Sequence, residues 1–424
     1  MDRDRHDTRE RNPRDPYLAF RYPDFRRFII AAFLYTVALL MQEVVIGYEL
    51  YKITGDPLAL GLTGLAEAIP FISLSLFGGH VADRLHRKTI ILVATGCITA
   101  SSIFLFFMAS NIQQYSSHTL IVVIYSVIFF IGTCRAFQFP AAWALRATLI
   151  PPPAYENASI WSSSSWQIGA VVGPGISGFL YAWLGFSNTL LVVVAFLLLA
   201  FLFYARVAGR PVEKPADDEP LWESVKKGIR FVYDTKIIFY SISLDLFSVL
   251  LGGVMAILPV YAVDILRVGP QGLGILRASP SIGAVITLLI LSRRSVMEHA
   301  WRTLLLSVAA FGVSILVFAV SPWMWLSTVM LFLSGAFDSV SVVIRHTLLQ
   351  VKTPDVMRGR VMAINGIFLS SSNELGGFES GFAARLMGTI ASVVFGGTMT
   401  LVTVAWMYFK SKNLFGPEKT EVVH

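Results

Sequence analysis

Charge is scarce in this chain. Aspartate, glutamate, lysine and arginine make up 14 % of its 424 residues, against about 25 % in soluble domains, which excludes an ordinary water-soluble globule. Cysteine is scarcer still: Cys97 and Cys134 are the only two, both inside apolar runs. A disulfide framework and a thiolate metal site are therefore excluded, and both cysteines read as small packing residues. The histidines form no pair at metal-ligand spacing within a helix, and no nucleophile elbow, phosphate-cradling loop or metal-hydrolase signature occurs. Neither enzymatic activity, a metal nor a cofactor is expected. A cleavable signal peptide is missing as well. The residues before Phe28 are polar and arginine-rich, and the first apolar run is too long for a signal-peptide core.

What fills the chain instead is hydrocarbon. Hydrophobic residues make up 55 % of it, and the mean hydropathy is +0.65. The apolar runs reach about 20 residues, long enough to cross a hydrocarbon core about 30 Å thick. They are continuously apolar, without the alternation of a lipid-facing barrel strand. The expected fold class is all-α integral membrane, with twelve transmembrane helices. Six are expected at Phe28–Tyr51, Leu58–Val81, Thr89–Ser110, Thr119–Ala142, Asn157–Trp183 and Asn188–Ala208. Six more are expected at Ile237–Tyr261, Gly272–Leu291, Trp301–Val320, Trp323–His346, Val361–Leu386 and Thr389–Phe409.

Basic residues orient these spans. The N-terminal tail holds Arg3, Arg5, Arg9, Arg11, Arg14, Arg21, Arg26 and Arg27. More follow at Arg84, Arg87 and Lys88, from Arg206 to Lys236, at Arg293 and Arg294, and at Lys410, Lys412 and Lys419. The opposite side has only Lys52 and Arg267. The positive-inside rule then places both termini in the cytoplasm. The formal charge of +7 becomes an orientation signal and a contact with anionic headgroups, not a nucleic-acid footprint. The organisation expected is a basic tail over 1–24, an N-terminal six-helix bundle over 25–209, and a linker over 210–236. A C-terminal six-helix bundle over 237–412 and a tail over 413–424 follow. The linker opens GRPVEKPADDEP and continues with Leu221, Trp222, Val225, Ile229 and Val232 at helical spacing. That pattern predicts an interfacial helix on the cytoplasmic leaflet, with an ordinary solvated connector as the alternative.

The two halves echo each other. Leu60-Gly61-Leu62 recurs as Leu273-Gly274-Ile275, Arg146-Ala-Thr-Leu149 as Arg345-His-Thr-Leu348, and Ser177-Gly178-Phe179 as Ser380-Gly381-Phe382. Three matches in one order suggest two repeats, with a site between them near the midplane. Residues 78–88 read GGHVADRLHRK. Gly78 and Gly79 permit a close helix approach, and Asp83 is a carboxylate at the membrane boundary. Gly79-x-x-x-Asp83-Arg84-x-x-Arg87-Lys88 between helices 2 and 3, with the spans and repeat, resembles the major facilitator superfamily. The resemblance covers the chain from about Asp24 to Lys412. It implies that Asp83 latches the halves at the cytoplasmic side against the start of helix 11, where Arg358-Gly359-Arg360 resembles the family's lead-in. His86 stands where the family has a glycine; if the turn needs positive φ, histidine strains it. A basic cluster that merely obeys the positive-inside rule is the alternative.

In helix 5, Gly169, Gly173, Pro174 and Gly178 allow close helix approach and release one backbone hydrogen bond. The string resembles the superfamily's antiporter motif, with Ser177 replacing one glycine, and this implies export; a tight crossing without directional meaning is the alternative. The proline pattern of drug exporters in helix 1 is absent. Tyr48–Leu62 and Asn373–Gly381 resemble the enterobactin-exporter-like branch, which includes siderophore and drug efflux proteins.

An ionic side chain in mid-membrane costs at least about 2.5–3.5 kcal/mol on insertion scales, so each needs a reason. The set is Glu43, Glu67, Arg135, Asp245, Arg277, Asp338, Glu374 and Glu379, with Glu49 at the rim. Helices 3, 6, 9 and 12 carry none in their cores, and the resemblance makes those four the lipid-facing supports. Removal from water disfavours a carboxylate's charged form, the property a proton carrier needs. Glu43 is the first choice, with Asp338 and Glu374 next; structural pairing with Arg135 or Arg277 is the alternative. Glu49 is expected to be a solvated rim charge, and Arg345 and Arg385 to reach the headgroups from helix ends. Trp161, Trp166, Phe137 and Phe139 are placed to stack on a planar ligand or simply to pack. The expected function is proton-coupled antiport of a mid-sized organic molecule, siderophore or drug-like, out through a bacterial inner membrane. A monomer working with protons, a small-molecule substrate and lipid is expected. Import or facilitated diffusion of a small metabolite or sugar on the same fold is the rival, and a non-transporting receptor or scaffold a remote one.

Overall fold

The computed structural model describes residues 17–209, 221–291 and 299–411. The tail before Tyr17, the start of the linker, Arg293, Arg294, Lys412 and Lys419 lie outside them.

Helix α1 (Pro23–Thr54) opens on a proline and closes into Gly55, whose φ of 61° is a left-handed turn that glycine takes without a Cβ clash. Asp56 then caps α2 (Pro57–Arg84), its carboxylate accepting the Leu58 N–H at 2.9 Å. After α3 (Arg87–Ser110), Ser116 caps α4 (Ser117–Thr148) by accepting the Thr119 N–H at 3.1 Å. Helix α5 (Tyr155–Ala205) consists of two arms that meet at Gly185, where φ is 77°. The expected break after Trp183 is therefore one residue wide. The later helices are α6 (Leu221–Asp234), α7 (Lys236–Gly252), α8 (Gly269–Leu291), α9 (Ala300–Val320), α10 (Met324–Lys352), α11 (Asp355–Met387) and α12 (Thr389–Lys410).

Among the described residues, ten stretches are long and apolar enough to cross a bilayer, both arms of α5 counting as one and α11 not among them. With no strand among the described residues, the chain is an all-helical, multi-pass membrane protein. Helix 7 was expected to run unbroken to Tyr261. It stops at Gly252 and Gly253, resumes as a 3₁₀ turn at Met255–Ile257, and ends in a π-turn at Tyr261–Ile265. The break has a packing cause. A Cβ at Gly252 would stand 2.9 Å from the Phe311 ring, and the Ser380 hydroxyl donates to the Gly253 carbonyl.

One apolar core is drawn entirely from residues between Leu18 and Val207. A second joins Val44, Tyr51 and Leu60 of the N-half to Val254, Leu258, Leu273 and Leu276 of the C-half. It lies at the end of the molecule where α1 and α11 finish and α2 and α8 begin, termed the far end; the tail end is opposite. Two glycine crossings close the far end. A Cβ on Gly61 would lie 3.1 Å from the Gly381 Cα, and one on Gly178 would lie 3.0 Å from the Gly274 Cα. At the tail end, α6 buries Val232 against Ile238, Ile242, Leu349 and Val361. It leaves Lys226, Lys227, Ile229, Arg230 and Tyr233 exposed, as an interfacial helix does. The side chains of Leu221, Trp222 and Val225 lie outside the described ones.

Candidate functional site: ionic residues between the halves

Close packing of α2 on α4 brings two expected residues together. At Gly132 of α4 a Cβ would stand 3.2 Å from the Glu67 Cα, and three positions on, Arg135 pairs with the Glu67 carboxylate. The Arg135 guanidinium also lies over the Phe71 ring, 5.8 Å from its centre. Glu374 of α11 approaches the same wall. A Cβ on Gly64 of α2 would be 2.8 Å from the Glu374 carbonyl, and both Arg135 and Glu43 act electrostatically on the Glu374 carboxyl. Glu43 of α1 accepts from Arg277 of α8 at 2.7 Å, a bond between the halves. The Arg277 side chain is 11 % exposed and the Glu43 side chain 53 %. Glu43, Glu67, Arg135, Arg277 and Glu374 thus form one group drawn from five helices. Structural pairing and a polar path are the two alternatives for these charges. The geometry satisfies the first for Glu43 and Glu67, and leaves Glu43 exposed enough to be reached.

Asp245 and Asp338 lie elsewhere, entirely within the C-half. Asp245 of α7 pairs with Arg345 of α10, and it shares a cavity of about 10 Å³ with Asp338, Ser248 and Ser341. Glu379 is half-buried on α11, and among the described contacts it joins neither group.

Two charges differ from expectation, and a third has a partner that was not expected. Glu49 is buried and accepts a hydrogen bond from Tyr181, so it is no solvated rim charge. Arg345 is 1 % exposed and does not reach the headgroups, because α10 continues beyond His346 to Lys352. Arg385 pairs with Asp56, across the halves. With Tyr51 donating to Asp264, these add two cross-half contacts at the far end that went unforeseen. Asp56 reads as a helix cap, and Tyr51 gives no sequence signal at all. Among the aromatics, Trp161 packs against Tyr17 and Phe20, which is the packing alternative.

The GGHVADRLHRK stretch is partly as expected. Gly78 lets α2 touch α4, since a Cβ there would come 3.1 Å from the Phe137 Cα. Gly79, expected to do the same, faces open space. His86 has φ of −59°, so no left-handed strain arises. Arg87 donates to the Ala82 and Ala144 carbonyls at 3.3 and 3.5 Å, and Lys88 to the Ala205 carbonyl at 2.8 Å. These cations thus hold the carbonyl ends of three helices, where the helix dipole favours positive charge. Asp83 and Arg84 are exposed. The Arg358 and Arg360 side chains, the other part of the expected latch, lie outside the described ones.

In α5 the motif glycines divide their work. A Cβ on Gly169 would meet the Thr36 Cγ2 at 3.0 Å, and one on Gly173 the Val37 carbonyl at 3.0 Å, both on α1. Gly178 instead meets α8 of the other half. Pro174 interrupts the backbone ladder between them, and its carbonyl accepts from the Ser177 hydroxyl at 2.8 Å.

Known proteins share this architecture. The enterobactin exporter EntS of Escherichia coli strain K12 is 24 % identical over 401 residues, covering 92 % of this chain and 94 % of its own. The Shigella flexneri protein of the same name is 25 % identical over 391 residues, covering 90 % of each. Solved folds include the nucleoside transporter NupG, at a TM-score of 0.69 and 15 % identity, covering 93 % of this chain and 99 % of its own. Another is a bacterial homologue of the lysosomal transporter Spinster in an inward-facing, unoccupied conformation, at 0.70 and 15 %, covering 93 % and 98 %. A family model described as transmembrane secretion effector matches residues 15–418. By that match the chain belongs to the transmembrane secretion effector family of the major facilitator superfamily, a family of membrane transporters.

Proposed function

We propose that this protein is a proton-coupled antiporter that exports a mid-sized organic molecule, siderophore-like or drug-like, across a bacterial inner membrane. Its twelve spans form two six-helix bundles, over 25–209 and 237–412, and both termini face the cytoplasm. The bundles rock about a central site made by Glu43, Glu67, Arg135, Arg277 and Glu374. The tail end is cytoplasmic, so the sealed far end makes this the state closed to the outside. Asp83, Arg84 and Arg360 form the cytoplasmic latch when the bundles rock the other way.

The observation that carries this reading is the Glu43–Arg277 bond, an ion pair in mid-membrane between the two halves. With Arg277 mostly enclosed and Glu43 half exposed, the pair is a weak stabiliser but a usable switch. In the ionised state it clamps the far end. A substrate group or a proton that occupies one partner releases the other. Because both compete for the same charges, binding one opposes binding the other, which exchange in opposite directions requires. The likeness to enterobactin exporters and the α5 motif favour export over import.

The test is uptake into inverted membrane vesicles across a panel of catecholate siderophores and macrolides, with vesicle pH followed in parallel. Wild type should accumulate a panel member while protons leave the vesicle, and Glu43→Gln should lose the coupling. Protons moving with the substrate would identify a symporting importer. No substrate-dependent flux in wild type, with the protein folded and the panel exhausted, would favour a receptor or scaffold.

A further inference from the structure

A second group of ionic residues stands apart from the central site. Asp245 of α7, Asp338 and Arg345 of α10, and the hydroxyls of Ser248 and Ser341 surround or adjoin one small cavity, whose other walls include Phe311 of α9. Only C-half helices contribute. Asp245 is buried, and Arg345 is among the most buried side chains of the molecule. Beyond the ion pair with Asp245, none of the Arg345 guanidinium nitrogens completes a hydrogen bond among the described residues. The space measures about 10 Å³, which is close to what one water occupies.

The charges do not balance. Two carboxylates face one guanidinium, and an unpaired charge away from water is costly. The neighbouring elements offer little compensation. His346 lies beside Arg345 and acts electrostatically on Asp245. The nearby residues of α9 are Val308 and Phe311. The charge of α8, Arg277, is committed to Glu43. On α11, Asn365 is buried, and the arginines at 358 and 360 have undescribed side chains. The group is neutral with one proton on it.

We infer that Asp338, Asp245 and Arg345 form a second proton site, shared between the two carboxylates and held out of the substrate's reach. This rests on the proposed proton-coupled export and deepens it. The central site exchanges proton for substrate by direct competition, whereas the second site changes charge between α7 and α10 within one bundle. Its proton is shared between the carboxylates through the cavity and is exchanged when rocking opens that cavity to one side. The balance is one proton in and one out per cycle, without any covalent step.

The experiment uses the full chain in lipid nanodiscs, titrated by infrared difference spectroscopy in the carboxylic-acid carbonyl region, without substrate. Asp338→Asn should remove one protonated carboxylic acid from the spectrum. Asp245→Asn should remove it too, although Asp338 remains, because the cluster is then neutral without a proton. Asp338→Glu should restore it. An acid band that persists unchanged in Asp245→Asn would overturn the shared site, as would one unchanged in Asp338→Asn. In vesicles, Asp338→Asn should lower the number of protons exchanged per substrate by one while Glu43 remains active. An unchanged ratio would overturn this inference and leave the proposed antiport standing. A wild-type protein that moves substrate without protons would sink both.

Discussion

At the scale of single residues, burial and partner decide what a charge is worth. Arg345 is fully enclosed and its carboxylate partner Asp245 nearly so. Removing one member strands the other in low dielectric, which costs about 3–5 kcal/mol. Arg345→Met should therefore lower the melting temperature in detergent sharply, and Asp245→Asn in the same chain should recover part of the loss, since Asp338 still lacks the cation. Equal destabilisation by the single and double variants would mean that the pair does not hold α7 to α10. A milder case is Tyr181→Phe, which leaves the buried Glu49 carboxylate short of a donor. A loss of about 1–3 kcal/mol is expected, read as an earlier unfolding midpoint. Most charges inside the membrane were legible from their positions in the apolar runs, Arg345 and Glu49 excepted. Their pairing was not. A helix 10 that ends at His346 puts Arg345 at the headgroups. The six further residues of α10 move that side chain about 9 Å deeper at 1.5 Å per residue. Glu49 and Tyr181 lie 132 positions apart, so no local pattern signals their contact.

At the scale of elements, apolar run length located nearly every helix, and glycine chemistry explains where they stop or cross. Gly55, Gly185 and Gly388 take positive φ at helix junctions. The π-turn and the break after Gly252 have no distinct sequence signature, because a glycine pair in an apolar run reads equally as packing. The repeats were visible as echoes, yet their meaning is tertiary. Leu60-Gly61-Leu62 of one half rests on Ser380-Gly381-Phe382 of the other, and Leu273-Gly274-Ile275 rests on Ser177-Gly178-Phe179. Each half lends its copy of one motif to the opposite half's copy of the second, as a two-fold relation between repeats demands. A side chain at Gly61 or Gly178 would meet backbone, which cannot yield as a flexible side chain can. Overpacking costs about 1–3 kcal/mol, and here it is charged only to the far-end-closed state. Gly61→Leu and Gly178→Leu should thus shift the population toward far-end opening by roughly 5- to 150-fold. On the proposed orientation, the readout is labelling of a cysteine placed at Thr54 by a membrane-impermeant maleimide applied from outside. Labelling no faster than in the glycine parent would show that the crossings do not control closure.

At the scale of the whole molecule, the far-end seal is built from parts of unequal strength, and the order can be tested. The apolar cluster around Val44, Tyr51 and Leu60 removes side chains from water altogether, at about 25 cal/mol per Å². The Glu43–Arg277 pair is half sheltered. Asp56–Arg385 is the most open, with the Arg385 side chain 55 % exposed, and exposed ion pairs contribute at most about 1 kcal/mol. Asp56 has a separate local duty as the α2 cap, so replacing it by alanine would confound two effects. Asparagine caps about as well as aspartate but carries no charge, so Asp56→Asn isolates the pair. That variant should keep the melting temperature and change far-end labelling by less than about fivefold, with the small effect fading at high salt. Glu43→Gln, which leaves Arg277 without its counter-charge in a mostly enclosed place, should open the far end further and with little dependence on salt. If Asp56→Asn proved the stronger of the two, the seal would hang on its rim, and the mid-membrane pair would lose its place as the clamp.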